Sequence, residues 1–275
     1  MQQVNGLWIG GALSPIEMLC IQSFRYHGYT FKLWTYQDVA NIPEGTEIGN
    51  ANDIIPESGV FNYAKINRFG FGKGSYAGFS DIFRYKLLYE KGGIWVDMDI
   101  SCLSPVAELD ADYFFRSHHL AGAVGNVLKA PKGCELMRYC YERAQKEVTA
   151  ENTNWMLPIT ILNNGIHKFR LSRYISTISN NDRFPEVAAL LLGKSKPRYN
   201  WSVIHWMNEE FRRLNLPNQE FLTNSTMAAL LKKYQIPFRE LEDEEAAVYA
   251  RKLSRWRYVW LSLKAKLKLN LGYGN

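Results

Sequence analysis

The chain has 275 residues, enough for one large α/β domain or two small ones. Its net charge of +6 is uneven, because residues 251–275 carry seven basic and no acidic side chains, and the rest of the chain carries 26 basic against 27 acidic. A nucleic-acid-binding protein is expected to have basic patches on its folded body, so this distribution argues against that class. We find no N-terminal signal sequence and no apolar run long enough to span a bilayer.

Four cysteines, Cys20, Cys102, Cys134 and Cys140, show no spacing typical of a metal site or a redox pair. We therefore expect all four to be reduced and partly buried, as is usual in a reducing cytosol. Together with the lack of a signal sequence, this predicts a cytoplasmic protein.

The N-terminal segment predicts a βαβ unit. Residues 4–10 have the pattern of a strand. Ser14 and Glu17 then have the spacing of a capping box at the start of a helix. We expect Gly28 to end that helix and residues 31–34 to form the next strand. A strand, a helix and a strand in this order indicate a parallel sheet.

The glycine-rich segment 70–75 superficially resembles a phosphate-binding P-loop. A P-loop needs a lysine directly followed by serine or threonine, whereas Gly74 separates Lys73 from Ser75 here. We therefore predict a mobile loop that leads into a helix, with a lid over a site as its function.

Two aspartates, Asp97 and Asp99, follow a predicted helix over 76–91, a pair of glycines and a short apolar strand over 94–96. Alternation along a strand would place both carboxylates on one side, and the end of a parallel strand often faces a ligand crevice. Two like charges so close are costly unless a cation lies between them. Oxygen ligands suit Mn²⁺ or Mg²⁺, so the pattern predicts a metal site that binds a diphosphate. The alternative is a pair of exposed turn carboxylates.

The predicted helix carries Asp81, Arg84 and Tyr85 at spacings of three and four, so they share one face. The helix ends just before the Asp pair, and a local turn can bring this face towards the metal. Arg84 then suits a phosphate and Asp81 a ribose hydroxyl. The alternative is a surface Asp–Arg pair worth less than about 1 kcal/mol.

Segment 80–99, SDIFRYKLLYEKGGIWVDMD, resembles the DXD-containing family of glycosyltransferases. That family includes fungal initiating mannosyltransferases and bacterial capsular-polysaccharide transferases, and its core is similar to that of the large glucosylating toxins. Segment 7–11, LWIGG, also resembles the first strand of these enzymes. The clear likeness covers roughly residues 4–36 and 75–135.

The resemblance implies an α/β fold of the GT-A nucleotide-diphospho-sugar transferase type, with a mostly parallel central sheet and added helices. We expect this catalytic domain to occupy residues 1–250. The implied activity is a retaining, Mn²⁺- or Mg²⁺-dependent transfer of a hexose from a nucleotide sugar, with the leaving diphosphate helping to deprotonate the acceptor. A UDP-sugar is the preferred donor, because the LWIGG start resembles UDP-using relatives, and GDP-mannose remains open.

The resemblance also implies roles for individual residues. Trp8 would stack on the base, although a core aromatic is an equal alternative. Asp97 would touch ribose and metal, and Asp99 would be the main metal ligand. The remaining donor-binding residues are Asp81, which would bind ribose or sugar, Arg84, which would hold phosphate, and Tyr85 on the same helix face.

Two downstream residues are weaker candidates. Asn126 aligns loosely with a segment that lines the sugar pocket, or it is simply a turn residue. His205 is a candidate third protein ligand of the metal, and its alternative is a structural histidine. The Ser-Trp pair that the family usually places after this histidine is missing here.

Residues 251–275 predict a basic amphipathic tail. Apolar residues recur at spacings of three and four, flanked by lysine and arginine, which suits an anionic membrane surface. Two alternatives are docking of this stripe on the protein's own body and a strand over 263–271. Membrane association favours an enzyme at the inner face of the plasma membrane, acting on a glycan or lipid-linked acceptor in surface-polysaccharide synthesis.

Other functions remain open at this point. A toxin-like transferase acting on a protein would use the same site. An aspartate-nucleophile phosphohydrolase is an alternative, because residues 94–99 also resemble its motif. A non-catalytic glycan-binding or membrane-recruiting module would make the Asp pair structural.

Overall fold

The computed structural model describes residues 1–254. The strands are β1 (Gln3–Trp8), β2 (Thr30–Thr35), β3 (Glu47–Asn50), β4 (Gly93–Val96), β5 (Ile100–Cys102), β6 (Phe114–His118), β7 (Gly122–Ala130), β8 (Ile175–Ser176), β9 (Val203–His205), β10 (Glu220–Phe221) and β11 (Arg239–Glu240). The α-helices are α1 (Pro15–Tyr26), α2 (Ala77–Lys91), α3 (Glu135–Glu147), α4 (Leu157–Lys168), α5 (Phe184–Leu191), α6 (Asn208–Leu214), α7 (Thr226–Lys233) and α8 (Asp243–Leu253). No helix in this part of the chain has the length and apolarity needed to cross a membrane.

Seven strands form the central sheet, in the order β3-β2-β1-β4-β7-β6-β8. Strands β1 to β4 are mutually parallel where they pair, and β6 is parallel to β8. Strand β7 runs antiparallel to both of its neighbours, β4 and β6. The predicted α/β class with a mostly parallel sheet is therefore confirmed.

The N-terminal βαβ unit is confirmed in detail. The backbone N–H of Ser14 donates to Glu17 Oε2 at 2.7 Å, and Ser14 Oγ accepts from the N–H of Ile16 at 3.3 Å, which completes the capping box. Gly28 follows the helix with a φ of 87°, a conformation that favours glycine. Strand β3 was not predicted, since it has only four residues within a segment rich in turn formers.

Both faces of the sheet are covered. On β4, Ile94 and Val96 pack on the face that α1 covers, and Trp95 packs on the opposite face with α2, α3 and α4. This alternation is the strand periodicity that buries both sides of a parallel sheet. A third hydrophobic cluster joins α5, α6, α7 and α8 beside α1. Because helices cover both faces of the sheet, a site can form only at its edges, and the loops at the carboxyl ends of β1 and β4 lie at one of them.

Downstream of β7 the structure adds elements for which the sequence analysis gives no prediction. Helix α3 begins at Glu135, because Gly133, with a φ of 72°, forms a turn before it. Segment 160–200 contains most of α4 and all of α5. The predicted domain boundary at residue 250 falls within α8. The membrane-binding tail lies, beyond its first four residues, outside the described residues, as does the alternative strand over 263–271.

The cysteines occupy the interior of the fold. Cys20, Cys102 and Cys140 are buried and Cys134 is half-buried, and all four have free thiols. Burial raises the pKa of the Cys102 thiol to about 12, so it is protonated at neutral pH. These residues contribute to packing in the described structure.

Candidate active site

A pocket of about 320 Å³ lies where β1 and β4 end. Its wall is formed by residues 7–9 at the end of β1, residues 74–77 and Ser80 around the start of α2, Trp95 and residues 97–99 at the end of β4, and three residues of α6. Ligands of open parallel α/β sheets bind beyond the carboxyl ends of the strands. The volume is in the range of small-molecule sites, so this is the candidate donor pocket.

Asp97 and Asp99 both line this pocket, as predicted, but not because a strand alternates there. They lie in a turn between β4 and β5, closed by a hydrogen bond from the N–H of Ile100 to the Asp97 carbonyl at 3.1 Å. The chain turns because β5 leaves the central sheet and pairs with β9. This turn, rather than alternation along a strand, places both carboxylates on the same side.

Protein groups hold each carboxylate of the pair by one oxygen. Asp97 Oδ1 accepts from Trp95 Nε1 at 2.8 Å and lies 3.1 Å from Arg84 Nη2. Asp99 Oδ2 accepts from the N–H of Asn208 at 2.8 Å and lies 3.2 Å from His205 Nε2. Burial raises the pKa of Asp99, but His205 and the N–H of Asn208 lower it more, so its pKa lies below the ordinary value and the carboxylate is ionised.

Arg84 lies beneath the pair rather than in the pocket wall. Its guanidinium is 5% exposed and bridges Asp81 and Asp97, with Nη2 at 3.1 Å from an oxygen of each. A Cβ at position 125 would lie 2.5 Å from Arg84 Nη1, so only glycine lets β7 approach this closely. The alternative of a surface ion pair is wrong. Arg84 thus supports Asp97 through Nη2, and its predicted contact with phosphate stays a prediction.

Asp81 is held in the same cluster. Burial raises its pKa to about 6, Arg84 opposes that rise, and the Asp97 carboxylate adds to it. Its side chain is 15% exposed. Asp81 and Arg84 therefore lie on one face of helix α2, and this face is turned towards the Asp pair, as predicted from their spacing.

Two predicted donor-binding aromatics have different outcomes. Tyr85 is 1% exposed in the core under α2, and its hydroxyl donates to the carbonyl of Pro158 at 3.1 Å. It is a core residue, because its position on the helix points between α2 and α4 rather than towards the pocket. Trp8 lines the pocket, and its Nε1 donates to the carbonyl of Ala12 at 3.1 Å, which holds the indole in place.

His205 and Asn126 belong to a buried polar network beside Asp99. Pairing of β5 with β9 sets His205 opposite Ile100. His205 Nδ1 lies 2.5 Å from Asp182 Oδ1, and the same carboxylate pairs with Arg116, which is fully buried. Arg116 Nε donates to Asn126 Oδ1 at 2.7 Å. Asn126 therefore supports the network rather than lining the pocket, and its carbonyl accepts the N–H of Asp97 at 2.9 Å.

This network fixes the charge of His205. Burial lowers its pKa, but the carboxylates of Asp99 and Asp182 raise it more, to about 10. Burial also raises the pKa of Asp182, and Arg116 and His205 lower it well below its usual range. Sequence analysis missed Asp182 and Arg116, since both are far from the motif along the chain. The polar run of residues 179–182 was the available signal.

Helix α6 adds a cation that sequence analysis also missed. Arg212 lines the pocket, with Nη1 at 2.8 Å from Glu209 Oε1, and its Nη2 donates to the Lys73 carbonyl at 2.8 Å. Gly74 and Ser75 line the same pocket. The glycine-rich loop thus borders the pocket where a lid was predicted, and Arg212 joins it to α6.

The Asp pair fits a hard divalent cation, without the third ligand that was predicted. Within residues 1–254, no three His, Cys, Asp or Glu side chains form a group that could hold a metal ion. Both ring nitrogens of His205 face carboxylates. Asp97 and Asp99 each keep one oxygen apart from the protein contacts described above. Mg²⁺-type sites commonly use one or two carboxylates and complete their coordination with water and phosphate.

Comparison with known proteins places this site in context. Residues 36–116 match the family model of the glycosyltransferase sugar-binding region containing the DXD motif. The PaToxG glycosyltransferase structure is 13% identical, with 62% of this chain and 68% of that chain covered and a TM-score of 0.43. Apo GlyE, a glycosyltransferase of Streptococcus pneumoniae TIGR4, is 12% identical, with coverage of 94% and 64% and a TM-score of 0.46. No curated protein matches the sequence.

The family match includes Asp81, Arg84, Asp97 and Asp99, the residues that carried the resemblance in the sequence. The resemblance to DXD-containing glycosyltransferases is therefore confirmed. The sheet order confirms the predicted α/β fold with a mostly parallel central sheet, and the GT-A type stays a prediction. This chain spans about two thirds of the GlyE chain, 64% of its length.

Proposed function

We propose that this chain, whose residues 36–116 match the family model of the glycosyltransferase sugar-binding region containing the DXD motif, is a metal-dependent hexosyltransferase that uses a nucleotide-sugar donor. One observation carries the proposal: Trp8, Asp97, Asp99 and Arg212 line one pocket at the carboxyl ends of β1 and β4. An aromatic face, a pair of carboxylates and a cation are the groups that a nucleoside diphosphate requires.

Each group has a task in donor binding. Trp8 stacks on the base, because its indole is held by Ala12 and remains part of the wall. Arg212 lies where it can contact phosphate oxygens as a charged donor. Asp97 and Asp99 hold the divalent cation, Mn²⁺ or Mg²⁺, and the cation supplies neutralisation of the charge that builds up on the departing diphosphate.

The buried residues keep the Asp pair in place. Arg84 ties Asp97 to Asp81 on α2, and His205 ties Asp99 to Asp182. Preorganised charges of this kind lower the cost of reorganisation when the bond breaks. The two carboxylates are therefore already oriented before the donor arrives.

The acceptor and the setting are further parts of the proposal. We take the transfer to be retaining, with a UDP-sugar as donor and a glycan or lipid-linked acceptor in surface-polysaccharide synthesis. The catalytic domain comprises residues 1–250, and the basic tail over 251–275 brings the enzyme to the inner, anionic face of the plasma membrane. The supports are the sequence resemblance and the uneven charge of the chain.

The test is donor hydrolysis across a panel of UDP- and GDP-sugars, with Mn²⁺, Mg²⁺ or EDTA. We expect slow release of one nucleotide by the wild type that depends on the metal. Asp99→Asn should lose this release by roughly a hundredfold or more, because one charged ligand is gone. Its fold should stay intact with only a modest fall in melting temperature, because the amide keeps the shape and His205 keeps Asp182 as a partner.

Four outcomes would contradict the proposal. Lack of both hydrolysis and metal-dependent nucleotide binding would remove the transferase function. Covalent phosphorylation of Asp97 would instead indicate the phosphohydrolase. A large loss of thermal stability in Asp99→Asn would make the pair structural, and tight nucleotide-sugar binding without turnover would indicate a non-catalytic module.

A further inference from the structure

Met207 has a left-handed backbone conformation directly before helix α6. Its φ is 63° and its ψ is 60°, a region that costs free energy for a residue with a Cβ. The other non-glycine residues with a positive φ in 1–254 are Asn or Asp, which tolerate this region, or lie within two residues of the end of a helix, where a left-handed residue is usual. Within the described residues, Met207 alone has neither explanation, so the contacts around it supply the reason.

The residues on either side of Met207 both bind Asp99 through their backbone. The N–H of Trp206 donates to the carbonyl of Asp99 at 2.9 Å. The N–H of Asn208 donates to Asp99 Oδ2 at 2.8 Å. In an extended chain the second N–H would lie about 6.6 Å further along the strand. The left-handed turn instead returns it to the side chain of the same aspartate, so residues 206–208 form a backbone clamp on Asp99.

Both ends of this clamp are tied to other elements. Trp206 is fully buried, and its Nε1 donates to Ser101 Oγ on β5 at 2.7 Å. Asn208 Nδ2 donates to Glu17 Oε1 at the start of α1 at 2.7 Å. The side chain of Met207 packs against the cluster of α5 to α8. A costly conformation persists only where the surroundings over-determine it, and these contacts do so at residue 207.

The same turn sets the start of helix α6. The helix begins at Asn208, directly after the left-handed residue, and carries Arg212 into the pocket wall. The conformation of Met207 therefore determines the direction in which the chain enters α6. One backbone conformation places both the Asp99 carboxylate and the cation proposed to contact phosphate.

We infer that Met207 is a positioning residue of the proposed transferase, whose left-handed backbone closes the clamp of residues 206–208 on Asp99 and fixes this carboxylate before metal and donor bind. The inference rests on the proposed metal-dependent function. The requirement is for a backbone conformation and not for a thioether. A β-branched side chain, which is least compatible with a positive φ, should therefore open the clamp.

The first test compares Met207→Leu with Met207→Ile, two side chains of identical composition of which only isoleucine is branched at Cβ. Mn²⁺ binding without donor is measured by the electron paramagnetic resonance signal of free Mn²⁺. We expect the leucine variant to bind Mn²⁺ about tenfold or more tightly than the isoleucine variant, the range for loss of a group that holds a metal ligand.

A control variant separates this effect from backbone strain in general. Gln235 also has a positive φ, of 56°, but it is exposed, follows α7 and is not part of the pocket wall. Gln235→Ile should lower the melting temperature, as Met207→Ile does, and should bind Mn²⁺ as the wild type does. If Gln235→Ile weakened Mn²⁺ binding as much as Met207→Ile does, the specific role of Met207 would be wrong.

A second pair of variants avoids β-branching and large side chains altogether. Met207→Gly and Met207→Ala lose the same packing, but only glycine adopts a positive φ without cost. We expect the glycine variant to have the higher melting temperature and the tighter Mn²⁺ binding of the two. An alanine variant that equals or exceeds it in both measurements would overturn the inference.

Backbone hydrogen exchange tests the clamp without any metal. The amides of Trp206 and Asn208 should exchange slowly in the metal-free wild type and in Met207→Leu, and faster in Met207→Ile, because an open clamp leaves them without a partner. Equal exchange in the two variants, or Mn²⁺ binding that agrees within about twofold against the expected loss, contradicts the role of Met207 and leaves the metal site standing. If the wild type binds no metal even with a nucleotide sugar present, the metal-dependent function itself fails.

Discussion

Single buried charges determine how the Asp pair is presented to the pocket. Arg84 is 5% exposed and pairs with Asp97 of the site, and Arg116 is fully buried and pairs with the buried Asp182. A buried ion pair contributes little net stability compared with apolar residues, but removing one partner is costly. The value of these pairs lies in orientation, because Arg84 contacts Asp97 directly and Arg116 holds Asp182, which in turn holds His205 against Asp99.

Loss of the Asp182 charge should destabilise the protein strongly. Asp182→Asn keeps the shape but leaves the Arg116 guanidinium buried without a counter-charge, so we expect the free energy of unfolding to fall by about 3–5 kcal/mol. Urea unfolding at neutral pH measures this. The exposed Asp112→Asn is the control and should change stability by less than about 0.5 kcal/mol. Equal stability of the two variants would show that the charge of Asp182 contributes little to the free energy of unfolding.

At the scale of secondary-structure elements, one glycine joins the helix of the motif to its strand. Gly92 ends α2, with its N–H donating to the carbonyl of Leu88 at 2.9 Å, and β4 begins at the next residue. Its φ of 70° is paired with a ψ of −170°, a region almost restricted to glycine. A Cβ here would also lie 2.5 Å from the backbone nitrogen of Lys132.

Alanine substitutions at Gly92 and at Gly133 together distinguish backbone strain from a steric clash. Gly92→Ala should cost about 1–3 kcal/mol from its dihedral angles and more from the clash. Gly133→Ala is the matched control, because it has a φ of 72° and nothing within 4 Å of the new Cβ. We expect Gly92→Ala to be the less stable variant by about 1 kcal/mol or more in urea unfolding. The opposite order would mean that Lys132 moves away without cost.

At the scale of the whole molecule, the end of helix α8 is part of the folded core of the described residues. Leu253 at the end of α8 is 1% exposed and packs in the cluster of α5 to α8. A truncation at residue 250 would remove this core residue. Deletion of residues 255–275 instead removes five of the seven basic side chains and leaves α8 complete.

We predict that deletion of residues 255–275 releases the protein from anionic vesicles. Basic residues near an acidic membrane each contribute about 1 kcal/mol of attraction, so loss of five should abolish co-sedimentation at physiological salt. Neutral vesicles serve as the control, and the melting temperature of the truncated protein should match that of the full chain. If the truncated protein still sediments with anionic vesicles, the tail prediction is wrong and the membrane contact lies within residues 1–254.

Local sequence was sufficient wherever neighbouring residues alone determine structure. The capping box of Ser14 and Glu17, the glycines after α2 and the apolar strand before Asp97 each act within a few residues, so the βαβ start, the helix of the motif and the site's place at a strand end followed from the sequence. The family resemblance of residues 80–99 then indicated the chemistry. Tyr85 shows the limit, because helical spacing placed it on the right element but could not show that its ring is buried.

Tertiary structure alone decided which distant residues complete the site. His205, which Asp182 holds, and Asn208 meet Asp99 only because β9 pairs with β5 and α6 follows directly. Glu17 reaches Asn208 across 191 positions of the chain. No local pattern encodes such contacts, since they depend on the packing of whole elements against each other. The sequence by itself therefore determined the fold class, the Asp pair and the resemblance to DXD-containing glycosyltransferases, and the packed structure decided which residues surround the pair.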